Sequence, residues 1–140
     1  MGLQVLIVDD SAVMRSVLKK VVSLSGYDVS RFFDAGNGQE ALDVLSREWI
    51  DLILLDVHMP VMDGLALLRR MQGSELFKTI PTVMVTTEAS QEAIQEALQL
   101  GARAHVRKPF QPETIRKILE TILGDEYERK DAPDVGGCDF

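Results

Sequence analysis

Five polar side chains stand where short apolar runs give out. Asp9 and Asp10 follow Leu3–Val8, Asp56 closes Leu52–Asp56, Thr86 closes Thr82–Thr86, and Lys108 comes just after Arg103–Val106. Singly, each has an ordinary explanation: an aspartate after a strand often caps the next helix, and a lone lysine is commonly a solvated surface group. Together they form a chemically competent set. A carboxylate is a nucleophile, though a weak one. An ammonium neutralises developing negative charge, and a hydroxyl donates a hydrogen bond. Three carboxylates brought together repel one another, and a cation relieves that. Donors that are all oxygen, and few in number, suit Mg²⁺, which keeps several waters and is usually held by one or two carboxylates plus a phosphate. Such a set suits attack of a carboxylate oxygen on an electrophile.

Other chemistries are poorly served. The sequence has two histidines, His58 and His105, and one cysteine, Cys138, too few for a zinc cluster. It shows no Ser-His-Asp constellation. Asp10-Ser11-Ala12-Val13 after the first run is not the Gly-rich loop that cradles nucleotide phosphates. The net charge of −7 argues against binding to a nucleic-acid backbone.

The elements that must position these residues are legible as an alternation. Apolar runs at Leu3–Val8, Val29–Phe33, Leu52–Asp56, Thr82–Thr86 and Arg103–Val106 are rich in Val, Ile and Leu, as strands buried on both faces of a parallel sheet require. Between them lie stretches of helical period. Met14, Val17, Leu18, Val21 and Val22 share one face, and Gly26 follows where a positive φ is wanted. Further helices are predicted over Gly38–Arg47 and Gly64–Gln72. A fourth is capped by Ser90 and closed by Ile94, Leu98 and Gly101. A fifth has Pro112 in its first turn and Ile115, Ile118, Leu119, Ile122 and Leu123 on its inner face. The pattern is a (βα)₅ doubly wound α/β domain with a parallel sheet and right-handed crossovers. Ligands of such sheets sit beyond the carboxyl ends of the strands, and in the order 2-1-3-4-5 the first and third strands are neighbours, so Asp9, Asp10 and Asp56 converge on one edge.

The chain of 140 residues, 46% of them hydrophobic, is enough for one core. That core is expected within residues 1–124. Residues 125–140 hold six acids and two bases with Pro133, Gly136 and Gly137, the composition of a disordered acidic tail. No segment has the length and apolarity of a membrane span, and the short N-terminal run ends in two acids, unlike a signal peptide. With a single cysteine, a reducing, cytoplasmic setting is expected, with neither membrane nor nucleic acid as partner.

The residues Val8-Asp9-Asp10-Ser11, Leu54-Leu55-Asp56-Val57-His58-Met59-Pro60, Met62-Asp63-Gly64, Val85-Thr86 and Lys108-Pro109-Phe110 resemble the receiver domain of two-component response regulators. The likeness covers residues 3–123, and the absence of a following effector sequence suggests a stand-alone, chemotaxis-type member. It implies a flavodoxin-like fold with strand order 2-1-3-4-5. It implies Asp56 as phosphoacceptor, and Mg²⁺ held by Asp9, Asp10, Asp56 and the main-chain carbonyl of His58. Lys108 would contact the phosphoryl oxygens, Thr86 would be the switch hydroxyl, and the Lys108–Pro109 peptide would be cis. The partners implied are a sensor histidine kinase or phosphotransfer protein upstream and a protein target downstream, docked on the face of the fourth helix, fifth strand and fifth helix. Such a protein is a switch that catalyses its own phosphorylation and slow dephosphorylation rather than an enzyme acting on others.

His105 stands where this family usually has a Tyr or Phe that works with the switch threonine. His58 and Thr87 also depart from the commonest pattern, and the stretch Val29–Ala35 is about two residues long for the family. Met59, Met62, Met84, Trp49 and Phe110 read as packing residues. Two rival functions follow from the same residues. One is a receiver-like interaction module that is never phosphorylated, which the complete acid, threonine and lysine set disfavours. The other is an aspartate-based phosphatase of the haloacid-dehalogenase type, which expects Asp-x-Asp after the first strand where this chain has adjacent acids.

Overall fold

In a computed structural model, which describes residues 2–87 and 90–124, strands and helices alternate five times. The acidic stretch 125–140 lies outside the described residues. In chain order the elements are β1 (Leu3–Val8), α1 (Ala12–Ser23), β2 (Val29–Ala35), α2 (Gly38–Arg47), β3 (Leu52–Leu55), α3 (Gly64–Gln72), β4 (Thr82–Thr86), α4 (Gln91–Gln99), β5 (Ala104–Arg107) and α5 (Pro112–Leu123), with a 3₁₀ turn at Phe77–Thr79 before β4. The sheet is parallel throughout, as the alternation predicts, and ordered β2-β1-β3-β4-β5, as the family resemblance implies.

Side-chain alternation divides the core into two layers. Leu6, Val8, Ile53, Leu55 and Met84 pack with Ala41, Val44 and Leu45 of α2, Leu67, Leu68 and Met71 of α3, and Ala97 of α4. Their neighbours Val5, Ile7, Leu52, Leu54, Val83, Val85 and Val106 face the other way, against Leu18, Val21 and Val22 of α1 and Ile115, Leu119 and Leu123 of α5. β3 and β4 are buried on both faces and β1 nearly so, whereas edge strands β2 and β5 are partly open. The near-continuous apolar runs of the inner strands have this cause.

The strand ends differ slightly from expectation. β3 stops at Leu55, not Asp56, although the Asp56 N–H still donates to the Val8 carbonyl at 3.0 Å. β5 is shifted by one residue, to Ala104–Arg107. β2 runs on from Phe33 to Ala35, where Asp34 pairs with Ile7 and Ala35 with Val8, and near its start a register break accommodates one extra residue: Leu3 pairs with Val29 but Gln4 with Arg31. Ser30, skipped by the register, donates from its hydroxyl to the Leu3 carbonyl at 3.2 Å. That is the signature of a bulge.

Helix starts follow local chemistry. Ser11, Asn37, Asp63 and Ser90 each accept a hydrogen bond from the backbone N–H three residues on, capping α1, α2, α3 and α4. Pro112 occupies the first turn of α5, and Gly26 has φ 96°. Two readings of the sequence need correction. Val17 is 41% exposed rather than buried, because Leu18, Val21 and Val22 already fill the buried arc of α1. Trp49 is 69% exposed and does not pack into the core. Its indole N–H donates to Asp51 at 2.8 Å, and Asp51 in turn accepts from the Gln4 N–H at 2.8 Å.

Candidate phosphoryl-acceptor and metal site

The carboxyl ends of β1 and β3 lie side by side, and each delivers its acids in the first residues past the strand. Ligand oxygens of Asp9, Asp10 and Asp56 come within 4.8 Å of one another. Asp9, 1% exposed, and Asp56 are buried, while Asp10 opens to solvent. Buried carboxylates require compensation, and Lys108 supplies it from the loop after β5. Its Nζ lies 2.7 Å from Asp9 Oδ2 and 3.6 Å from Asp56 Oδ2. The Lys108 N–H donates to the Thr86 carbonyl at 2.8 Å, and the Lys108–Pro109 peptide is cis.

Asp9 is held on every polar atom. Its N–H donates to the Ala35 carbonyl at 3.0 Å and its Oδ1 accepts from the Ser11 N–H at 2.9 Å. Oδ2 takes Lys108, and its carbonyl accepts from Arg15 Nη1 at 2.5 Å. The residue that follows Asp56 is tied to α3: the Gly64 N–H donates to the Val57 carbonyl at 2.8 Å. Gly64 sits so close that a Cβ there would lie 2.3 Å from the Asp56 carbonyl oxygen. Only glycine fits this approach.

Thr86 is fully buried as the last residue of β4. With Val57, Met84, Ala93, Ile94, Ala97, Leu98 and His105 it lines a narrow gap beneath α4. The His105 ring points inward, and its Nε2 is buried without a hydrogen-bond partner. His58 is exposed in the loop after β3. Met59 and Met62 are partly buried against the α2–α3 layer, Met84 is buried, and Phe110 packs against the α1–α5 layer, all as packing residues.

All five strand-end residues singled out by type are therefore at the carboxyl edge, and the three acids and Lys108 meet there. A cation is well matched to this donor set: three carboxylates against one ammonium leave an excess of negative charge on hard oxygen ligands. Several contributors were not evident from the sequence. Arg15 was hidden because a basic residue on the outer face of a helix looks like ordinary solvation. The pairing of Arg15 and Lys19, one helical turn apart, with the strand-end acid Asp34 was the available signal. The left-handed φ of 69° at Val61 had no signal at all, since a β-branched residue is among the least expected there.

Comparison with known proteins agrees with this geometry. Residues 5–120 match the family model of the response regulator receiver domain. A chemotaxis protein CheY homolog of Campylobacter jejuni is 33% identical over 123 residues, covering 87% of this chain and 93% of that protein. Sporulation initiation phosphotransferase F of Bacillus subtilis is 37% identical over 123 residues, covering 88% of this chain and 95% of its own length. Among solved structures, the receiver domain of the sensor histidine kinase PA1611 of Pseudomonas aeruginosa, described with a magnesium ion in its active-site cleft, superposes with a TM-score of 0.77. It is 28% identical, and the match covers 89% of this chain and 99% of that one. The chain belongs to the response-regulator receiver-domain family and is CheY-like.

Proposed function

We propose that Asp56 accepts a phosphoryl group from a phosphohistidine on a sensor kinase or phosphotransfer protein, in a Mg²⁺-dependent step. The observation that carries this is the placement of Lys108 between the buried carboxylates of Asp9 and Asp56, beside an open Asp10. An oxygen of Asp56 attacks phosphorus as the P–N bond to the donor imidazole breaks; the departing nitrogen keeps the bonding pair and takes up a proton, leaving an aspartyl phosphate and a neutral histidine. Lys108 is placed to neutralise charge on the phosphoryl oxygens as its link to Asp56 gives way. Asp9, Asp10, Asp56 and the main-chain carbonyl of His58 would hold Mg²⁺, which supplies charge neutralisation at the phosphoryl group. The buried wall formed by β1 and β3 positions Asp56, and the opening at Asp10 admits donor and water. Water attacking the mixed anhydride resets the switch.

The output is a change in affinity for a downstream protein, read on the face of α4, β5 and α5. Thr86 and His105 lie beneath it, and phosphorylation would shift an existing equilibrium between two packings of this region. Such a role suits a cytoplasmic protein; no described helix is long and apolar enough to cross a membrane. The test is labelling by acetyl phosphate with Mg²⁺, read as one phosphoryl mass increment on intact protein. The wild type should be labelled and Asp56→Asn should not. Undiminished labelling of Asp56→Asn would overturn the assignment.

A further inference from the structure

A second set of charged side chains grips the acidic site from outside. Arg15 and Lys19 project from α1 toward Asp34, the penultimate residue of β2. Arg15 Nε donates to Asp34 Oδ2 at 2.9 Å, and Lys19 Nζ lies 2.5 Å from Asp34 Oδ1. Partial burial on its own would raise the Asp34 carboxyl. The hydrogen bonds and positive charges of Lys19 and Arg15 outweigh that and hold it below the ordinary carboxylate range. Asp34 is therefore a fixed anion on which the guanidinium is seated. The other arm of the same guanidinium, Nη1, donates to the Asp9 carbonyl oxygen at 2.5 Å.

That carbonyl belongs to the peptide joining Asp9 to Asp10. Rotation of this peptide changes the direction in which the Asp10 side chain leaves the backbone. Asp9 has its own restraints at both carboxylate oxygens and at its N–H. The Asp10 side chain is exposed, so its aim depends heavily on the main chain that carries it. We infer that Arg15, seated on Asp34 and Lys19, is a positioning residue for the cation, fixing the Asp9–Asp10 peptide so that both carboxylates converge with Asp56. A planar fork suits the task, since it can serve two acceptors in fixed directions, whereas an ammonium is a single point charge.

Charge and position predict opposite signs here. As a mere positive charge near three carboxylates, Arg15 would repel a cation, and its removal would tighten binding. As a positioning group, its removal weakens binding. The inference rests on the Mg²⁺ site proposed above, and a calorimetric Mg²⁺ titration of the full chain separates the two. The wild type should bind; failure to do so would overturn the site itself, and this inference with it. Arg15→Ala should weaken Mg²⁺ affinity by about tenfold or more, the usual scale for groups that orient metal ligands. Arg15→Lys, which keeps the charge and most of the stem, should also bind more weakly, and covers the case in which Arg15→Ala does not fold. Asp34→Asn should show a smaller loss. Lys20→Ala, an exposed charge on the same helix, should bind like the wild type. In the cation-free protein the Asp10 amide resonance should move in the Arg15 variants, at unchanged melting temperature for Arg15→Lys. Wild-type or tighter Mg²⁺ affinity in a folded Arg15 variant would overturn the positioning role and leave the site standing.

Discussion

Gly64→Ala adds one carbon against the backbone that carries Asp56, the proposed acceptor. The new Cβ would lie 2.3 Å from the Asp56 carbonyl oxygen, 3.0 Å from Val57 Cα and 3.1 Å from the Asp56 carbonyl carbon, where ordinary contacts begin near 3.4 Å. Every atom it meets is main chain, so no side-chain rotation relieves the overlap, and α3 and the end of β3 must part by about 1 Å. Parting stretches the Gly64–Val57 hydrogen bond, worth ~1 kcal/mol. Overpacking adds a penalty of ~1–3 kcal/mol. A total near ~3 kcal/mol in a domain of this size should lower the melting temperature by roughly 10 °C. A misplacement of ~1 Å at a reacting group reduces rate by about a hundredfold, so acetyl-phosphate labelling of Asp56 should slow on that scale. Gly73→Ala is the control: its Cβ would meet only the Arg70 carbonyl, at an ordinary 3.5 Å. Chemical denaturation and labelling rates, measured on both variants, decide the matter. If Gly64→Ala is within ~0.5 kcal/mol of the wild type and is labelled at the wild-type rate, the close approach has no functional consequence and the reasoning fails.

Three further outcomes are expected. Val61 is 84% exposed with φ 69°, and the Met62 N–H closes a tight turn onto the Pro60 carbonyl at 2.7 Å. Left-handed strain of ~1–3 kcal/mol, set against the ~0.5–1 kcal/mol entropic disadvantage of glycine, means that Val61→Gly should stabilise the domain by denaturant titration. Asp34, held low by its two cations, contributes stability that is present above its unfolded-state value and lost as pH falls through its lower folded value. The stability gap between wild type and Asp34→Asn should therefore be steady from pH 7 to 5, close below about pH 4, and stay under ~1 kcal/mol because the pair is partly solvated. His105→Leu removes a buried nitrogen that lacks a partner. It should raise stability by ~1 kcal/mol, and a destabilised variant would show that the ring packs better than its orphaned atom suggests.

The fold was legible because the inner strands are buried on both faces and so spell themselves out in Val, Ile and Leu, and because helix-start signals such as the Ser90 cap and Pro112 in the first turn act locally. The edge strand β2 was read short, since an exposed acid such as Asp34 does not announce a strand. Trp49 was misread for a related reason. Large aromatic rings are usually buried, yet here a carboxylate one turn of loop away satisfies the indole and holds the ring outside. The site was legible to the extent that chemistry-bearing side chains stand at strand ends. Gly64 announces a helix start in the sequence, but its contact with the Asp56 backbone depends on how two elements meet. The same is true of Arg15, whose two acceptors lie 6 and 19 positions away in the chain.

The alternation along β4 and β5 has a mechanical consequence for a partner that reads this surface. Met84, Thr86 and His105 share the gap beneath α4, whereas Val85 and Val106 belong with α5 on the opposite side of the sheet. A disturbance beginning at Thr86 thus reaches α4 by direct repacking of side chains. It reaches α5 only if the main chain of β5 itself shifts. β5 is an edge strand, paired on one side with β4 alone, so it is the less restrained of the two. If the proposed face of α4, β5 and α5 is the one a target reads, its two flanks would be driven by different motions. A target gripping α4 alone would answer to a change of rotamers, and one bridging α4 and α5 would gauge how far a strand has travelled.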